Sequence, residues 1–483
     1  MTSETELRSE GTALDGRVNV GTLTAMVVGG MVGAGVFSLP RRFATETGVY
    51  GALIAWAIAG LGMLMLAFVF QRLALRKPDL DSGVYAYAKA GFGEYVGFFS
   101  AFGYWASACV GNVTYWILIM STLGALAPWL GEGNTLPAVA LSTVGIWGFA
   151  ALVRRGTEEA AAINKVVTVA KVIPILVFVV LCAVYLDWDV FTSNMSGTGL
   201  GGLFDQVNGT MLVTVFVFLG VEGASVYSRK ARRREDVGRA TVLGFLGVLA
   251  TFASVTIVSY GVVPRAELAE MRQPSMAGVL EHAVGGWGAV FISVGLIVSV
   301  LGAYLAWTLM AAEVLFVAAK DDDMPRFLRR VNGRGAPVAS LVMSTALIQV
   351  MLVVTMASED AFDLALNMTS ALTLIPFVLA SGYALMLALG RGGDAEPSTT
   401  SRAREVAVAV LATLYTLFLL YAAGPKYMLL SFVIYAPGTI LFVMARREQG
   451  RTLFAGAEPA ILAFSVIAAV VGVVSLAAGW ITI

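Results

Sequence analysis

Apolar residues along this chain come in long runs, not in strict alternation. Thr114 to Leu130, Val166 to Leu186 and Val290 to Val317 are almost unbroken. Each matches the roughly 20 residues that a helix rising about 1.5 Å per residue needs to cross a hydrocarbon core about 30 Å thick. A soluble core does not require that length. Cutting the chain at polar and turn-rich interruptions predicts about thirteen helical spans, starting near residues 20, 48, 97, 137, 163, 207, 240, 286, 336, 362, 406, 427 and 457. The pattern predicts an all-α integral membrane protein.

The polar interruptions orient the bundle, because every second loop is basic. These loops carry Arg72, Arg76, Lys77 and Lys89, then Arg154 and Arg155, then the run from Arg229 to Arg234. Further along come the segment from Lys320 to Arg334, then Arg391, Arg402 and Arg404, and finally Arg446, Arg447 and Arg451. The alternate loops are poor in lysine and arginine and hold Asp187, Asp189 and Asp205, or Glu359 and Asp360. Basic loops stay in the cytosol, so residues 1–19 are expected to be a cytosolic tail, and an odd number of spans puts Ile483 outside. The arginine run follows an apolar span directly, where topology alone calls for positive charge, so no nucleic-acid partner is needed to explain it. Residues 263–285 mix Arg265, Glu267, Glu270 and Arg272 with apolar positions, which predicts an amphipathic piece on the outer surface.

Composition agrees: 58% of the 483 residues are hydrophobic and 13% charged, against roughly 25% charged in a soluble domain. The formal net charge is zero, so charge as a whole points to no acidic partner. Glu4, Glu6, Glu10 and Asp15 near the start do not resemble the basic-then-apolar pattern of a cleaved signal peptide. There is one histidine, His282, on a predicted external loop, and the two cysteines, Cys109 and Cys182, sit inside apolar runs without ligand spacing. That supplies no metal cluster, no Ser-His-Asp triad and no Cys-His pair. The expectation is no enzyme and no cofactor. The longest polar stretches, about twenty residues, leave no room for an added sensor domain. A carrier of small solutes, a channel or a receptor remains.

Candidate chemistry begins in the first span, where Gly29, Gly30, Gly33 and Gly35 crowd the segment that runs to Ser38-Leu39-Pro40. Each interior glycine costs a helix up to about 1 kcal/mol relative to alanine, so the cluster implies either close helix packing or a broken helix. A break would aim the amides of the second half at a carboxylate and the freed carbonyls of the first half at an ammonium. A zwitterionic amino acid fits both. The sixth span repeats the oddity in Phe216 to Ser225, with Gly220 and Gly223 on either side of Glu222. Broken spans one and six imply two inverted halves with a site between them. A carboxylate in a bilayer costs at least about 2.5 kcal/mol, so Glu222 needs a structural partner or a task. Lys171 lies about 12 Å into its span, either as a fixed structural charge or as part of transport. Asn112 is polar at mid-depth, as packing glue or as a ligand contact, and Trp307 could pack ordinarily or stack on a cation.

These residues resemble the basic amino acid and polyamine antiporters of the amino acid, polyamine and organocation superfamily, especially the bacterial arginine/ornithine exchangers. The anchors are Gly33 to Pro40, Phe218 to Ala224, Leu305 to Leu309, and Ala318 to Pro325. The resemblance implies a ten-helix inverted-repeat transport core over residues 20–390, with broken helices one and six, and additional helices over 391–483. It places the substrate carboxylate on the backbone of Ala34 and Gly35 and the ammonium on carbonyls near Met31, Phe216 and Leu219. The distal cation would meet Ser107, the backbone of Ala108, Asn112, Trp307 and Thr369. Tyr104 would hydrogen-bond Glu222, and Lys171 resembles a lysine that stands in for sodium in other superfamily members. Phe216 stands where arginine/agmatine exchangers carry tryptophan. The implied activity is exchange of arginine, or another basic amino acid, for ornithine or a related amine across the cytoplasmic membrane. A proton-coupled carrier for a neutral amino acid is the alternative. The partners expected are small amino acids or amines and the bilayer, with a homodimer left open.

Overall fold

Inside hydrocarbon no water is present to bond an exposed N–H or C=O, so each apolar run must close its own hydrogen bonds as a helix. The structure, a computed structural model, describes residues 20–77, 80, 84–155, 157–222, 234–391 and 401–483. The tail 1–19, the sixth-span residues Gly223 to Ser225 and most of the arginine run up to Arg233 lie outside the described residues. Among the described residues every regular element is helical. The first are α1 (Val20–Met31), α2 (Leu39–Glu46), α3 (Val49–Arg76), α4 (Val84–Phe92), α5 (Glu94–Gly124), α6 (Leu136–Arg155), α7 (Thr157–Val184), α8 (Trp188–Ser193) and α9 (Leu203–Val217). Then follow α10 (Arg234–Ser259), α11 (Arg265–Glu270), α12 (Ser275–Val284), α13 (Gly286–Lys320), α14 (Val338–Val354), α15 (Ala361–Ala388), α16 (Arg402–Glu448) and α17 (Glu458–Ala477).

Nine of the described helices are long and apolar enough to cross a membrane, or ten if the bent first pair is one span. The 47 residues of α16 would stretch about 70 Å, twice the hydrocarbon thickness. At Gly424 its backbone leaves helical geometry, with φ 65° and ψ 172°, and Pro425 follows, so α16 is two helices meeting at a kink. Counting it twice gives ten spans, or eleven with the bent pair; the thirteen expected from sequence would need the shorter apolar stretches Lys171–Val184 and Leu203–Val217 as well.

The last turns of α3, α6, α13 and α16 carry Arg76, Arg154 and Arg155, Lys320, and Arg446 and Arg447. Positive charge there opposes the negative end of each helix dipole, and these turns define a basic end of the bundle. At the opposite end, residues 263–285 form α11 and α12. They bury Leu268, Met276, Val279 and Leu280, and the Arg272 guanidinium donates to the Ser121 carbonyl at 2.9 Å. This segment therefore packs down on the bundle instead of merely covering it. His282 stays half exposed, 3.9 Å from Glu267. In the middle α5 is buried along nearly its whole length, packed against α13 and α15. Peripheral α17 turns Phe464, Ile467 and Val470 outward, each more than half exposed, as a lipid-facing helix must. Both cysteines are buried and unbridged.

Candidate functional site

The first apolar run does not remain one helix. α1 stops at Met31, Val32 to Ala34 are non-helical, a 3-10 turn runs from Gly35 to Ser38, and α2 continues to Glu46. The two halves are bent by 47°. α9 ends at Val217, and Gly220 then takes φ 101°, a left-handed conformation that suits glycine. The two breaks touch. A Cβ built on Gly220 would stand 2.7 Å from the Gly30 carbonyl oxygen and 2.9 Å from its carbon. A Cβ on Gly35 would meet Val217 Cγ1 at 2.7 Å and Phe216 Cδ1 at 2.8 Å. Glycine is thus required here for close approach of two backbones, and both readings of the cluster, packing and breakage, hold at once.

Between these breaks and α5, α13 and α15 lies a cavity. Nine of the residues expected from sequence line it: Met31, Ala34, Gly35, Ser107, Ala108, Phe216, Leu219, Trp307 and Thr369. The space enclosed is about 20 Å³, room for about one water molecule, so the walls stand nearly closed. Gly30 and Met31, at the end of the first half-helix, and Ala34 and Gly35, at the start of the second, all line it; the ends of two half-helices carry opposite partial charges, as a zwitterion does. Asn112 is not among the lining residues. It donates from Nδ2 to the Thr308 hydroxyl at 3.3 Å, while its buried Oδ1 has no partner among the described residues.

Helical phase accounts for the difference. Tyr104, Ser107, Ala108, Gly111 and Tyr115 recur at three- and four-residue spacing and share one face of α5; Asn112, one turn beyond Ala108, stands at the edge of that face, on the side of Thr308 of α13. Gly111 and Tyr115 line the cavity although polarity alone did not single them out. The Tyr115 hydroxyl lies 3.2 Å from where a Cβ on Gly33 would be, so it reaches the first break. The same periodicity, read from Tyr104, would have found both.

Toward the basic end, the Tyr104 hydroxyl donates to Glu222 Oε1 at 2.5 Å, and the Gly220 amide donates to Glu222 Oε2 at 3.1 Å. Glu222 therefore holds the left-handed turn of the second break. Lys171 is buried, and its ammonium donates to the Gly29 carbonyl, linking α7 to the end of α1. Beyond them, outside the spans, Lys89 of α4 meets Asp323 at 2.6 Å and Tyr85 donates to Asp321 at 2.7 Å. Burial pushes the Asp323 carboxyl above its ordinary pKa, and the Lys89 charge pulls it back.

Toward the opposite end of the bundle, charged pairs join α2 to the start of α15. Arg41 meets Asp360 at 2.8 Å, and buried Arg42 pairs with Asp363 at the start of α15. Asn367 Oδ1 accepts weakly from Arg42 at 3.5 Å, and Asn367 Nδ2 donates to the Tyr427 hydroxyl at 2.9 Å. None of these residues was singled out as a site residue from sequence except through topology. Arg41 and Arg42 follow Pro40 at the end of a span, and Asp360 and Asp363 are far away in the chain, so only the fold reveals the pairing. Among the described residues no cluster of three or more metal-ligating side chains exists.

A family model described as amino acid permease matches residues 18–445. An arginine/ornithine antiporter of Pseudomonas aeruginosa is 48% identical over 476 residues, covering 97% of this chain and 98% of that protein. An L-lysine transport protein of Corynebacterium glutamicum is 40% identical, covering 98% and 97%. An arginine/agmatine antiporter of Chlamydia pneumoniae is 34% identical, covering 91% and 93%.

Proposed function

The chain belongs to the amino acid permease family, and from that premise we propose that it exchanges arginine, or another basic amino acid, for ornithine or a related amine by alternating access. The observation that carries this reading is the meeting of two helix breaks on one cavity. The substrate carboxylate docks on the amides of Ala34 and Gly35, and the α-ammonium on carbonyls near Met31, Phe216 and Leu219. The distal cation lies over the Trp307 ring and against Ser107, the Ala108 carbonyl and Thr369. Asn112 joins that group once the cavity widens and its unpartnered Oδ1 turns toward it. Tyr104 and Glu222 gate the basic end, and Lys171 occupies the place of a coupling cation.

The basic end faces the cytosol of a cell whose cytoplasmic membrane holds the protein, which leaves Ile483 outside. Residues 20–390 form the transport core, and the helices after 391 are accessory, in a monomer or a homodimer. Lysine is a further candidate substrate, favoured by the lysine transport relative.

The test uses liposomes loaded with ornithine, with lysine or with buffer alone, and external labelled arginine. Uptake should be strong only into loaded vesicles and unchanged when choline replaces sodium. Arginine and ornithine carry the same charge, so one-for-one exchange should be nearly indifferent to membrane potential. Equal uptake into empty vesicles would remove antiport.

A further inference from the structure

We propose that a groove at the basic end, between α6 and α14, binds the headgroup of an anionic phospholipid. The groove encloses about 720 Å³ and is separate from the cavity between the helix breaks; Trp147, Arg154, Arg155, Arg334, Val338 and Val342 are among its walls. The loop before α14 is tied to the end of α6 by side chains that cap its last carbonyls. Asn332 Nδ2 donates to the Arg154 carbonyl at 2.9 Å, and Arg334 Nη1 donates to the Arg155 carbonyl at 3.1 Å. This brings three guanidinium groups from two distant segments to one place.

Among the described residues their charge is not balanced as it is elsewhere on this end. Arg446 meets Glu94 at 2.6 Å, Arg76 meets Glu405 at 3.2 Å and Lys89 meets Asp323 at 2.6 Å. Arg154, Arg155 and Arg334 have no carboxylate within ion-pair distance among the described residues. The side chains of Glu158 and Glu159 lie outside that set. Val338, the first residue of α14, also lines the groove, which puts the positive end of a 17-residue helix beside it.

Guanidinium groups and a helix start ask for phosphate. The remaining walls say which phosphate. Trp147 is 42% exposed and Val342 46%, on helix faces turned toward hydrocarbon, where acyl chains can cover them. A soluble phosphate leaves that apolar surface bare; a phospholipid fills both parts of the groove at once. Tryptophan at this depth and basic pockets between helices are the arrangement expected at a leaflet boundary.

The test is native mass spectrometry of the purified full chain in detergent, titrated with phosphatidylglycerol, with phosphatidylcholine of the same acyl chains, and with glycerol 3-phosphate. Phosphatidylglycerol should bind at least about tenfold more tightly than phosphatidylcholine, since each basic residue near a lipid surface contributes about fivefold. Glycerol 3-phosphate should not compete. The triple variant Arg154→Gln, Arg155→Gln, Arg334→Gln should lose the preference, while Arg329→Gln with Arg330→Gln, on the same end, should keep it. If the triple variant does not insert, Arg334→Gln alone should weaken phosphatidylglycerol about fivefold. Equal binding of the two lipids, a preference that survives removal of the arginines, or displacement by glycerol 3-phosphate would each overturn the proposal.

Discussion

At the end away from the basic loops, two guanidinium–carboxylate pairs, Arg41 with Asp360 and Arg42 with Asp363, hold α2 to α15. At the basic end, the Tyr104 hydroxyl donates to Glu222 and the backbone of Gly220 lies against Gly30, the contacts that close this end in the proposed cycle. The Arg41–Asp360 pair can be undone and remade, because both partners remain partly exposed, at 20% and 31%, and water can take up their charges as they separate; the buried Arg42 guanidinium makes the second pair the firmer of the two. The basic end is a matter of shape. No solvent can substitute for a missing Cβ, and a carbonyl that needs glycine opposite it will accept nothing else. One end of the site is tunable by charge and salt, and the other is set by sterics.

The harshest break of this comparison is Gly220→Ala. The added methyl would stand 2.7 Å from the Gly30 oxygen, on backbone at φ 101° that L residues rarely adopt at a cost of about 1–3 kcal/mol. Exchange should fall to background while the protein still inserts, measured as arginine uptake per mole of reconstituted chain. Gly35→Ala, whose methyl meets the movable side chains of Val217 and Phe216, should retain more activity. Equal loss in both would show that backbone contact is not what matters.

Next is Lys171→Ala, which takes from the half-buried Gly29 carbonyl its ammonium donor. A lost charge-assisted hydrogen bond costs about 1.5–3 kcal/mol, which corresponds to roughly ten- to a hundredfold in exchange rate. If the ammonium stands in the place of a coupling cation, sodium should restore part of the lost activity in the variant; no rescue would mark the lysine as a fixed structural tie between α7 and α1.

Trp307→Leu should act more selectively, because it removes a ring that lines the cavity and can face a cation. A cation–π contact contributes about 0.5–2 kcal/mol, so arginine affinity should fall about two- to thirtyfold, with citrulline, its neutral analogue, little changed. Parallel losses for both would assign Trp307 to packing.

The helical class and the position of the breaks were legible because they follow from run length and from glycines where a helix disfavours them. Gly33, Gly35 and Gly220 could be read from their cost alone. The wall of α5 was legible only with helical phase: Asn112 attracts notice by polarity, while Gly111 and Tyr115, on the face toward the breaks, carry none of that signal. The outer pairs were hidden for a different reason. Arg42 and Asp363 are separated by 321 residues, and each alone reads as an ordinary charge at the end of a span.

The smallest expected effect is at the outer end, in Asp360→Asn. Its partner Arg41 is partly exposed, and pairs of that kind contribute about 0–1 kcal/mol. Weakening the pair should favour the state open to the outside and lower the half-saturating external arginine by no more than about fivefold. Because the pair is reached by solvent, the native protein should move the same way as ionic strength rises and the Debye length shrinks, and the variant should respond less to added salt. Asp363→Asn should behave differently, since it leaves the buried Arg42 guanidinium with only Asn367 at 3.5 Å and the more distant charges of Glu46 and Asp360, and removing one partner of a buried pair costs up to about 3–5 kcal/mol. It should lower the amount of folded protein before it changes affinity. External arginine affinity across a salt series, measured for the native chain and both variants, separates these outcomes. A native chain indifferent to salt, with Asp360→Asn no different from it, would mean that the outer end too is closed by shape, and the contrast between the two ends would not stand.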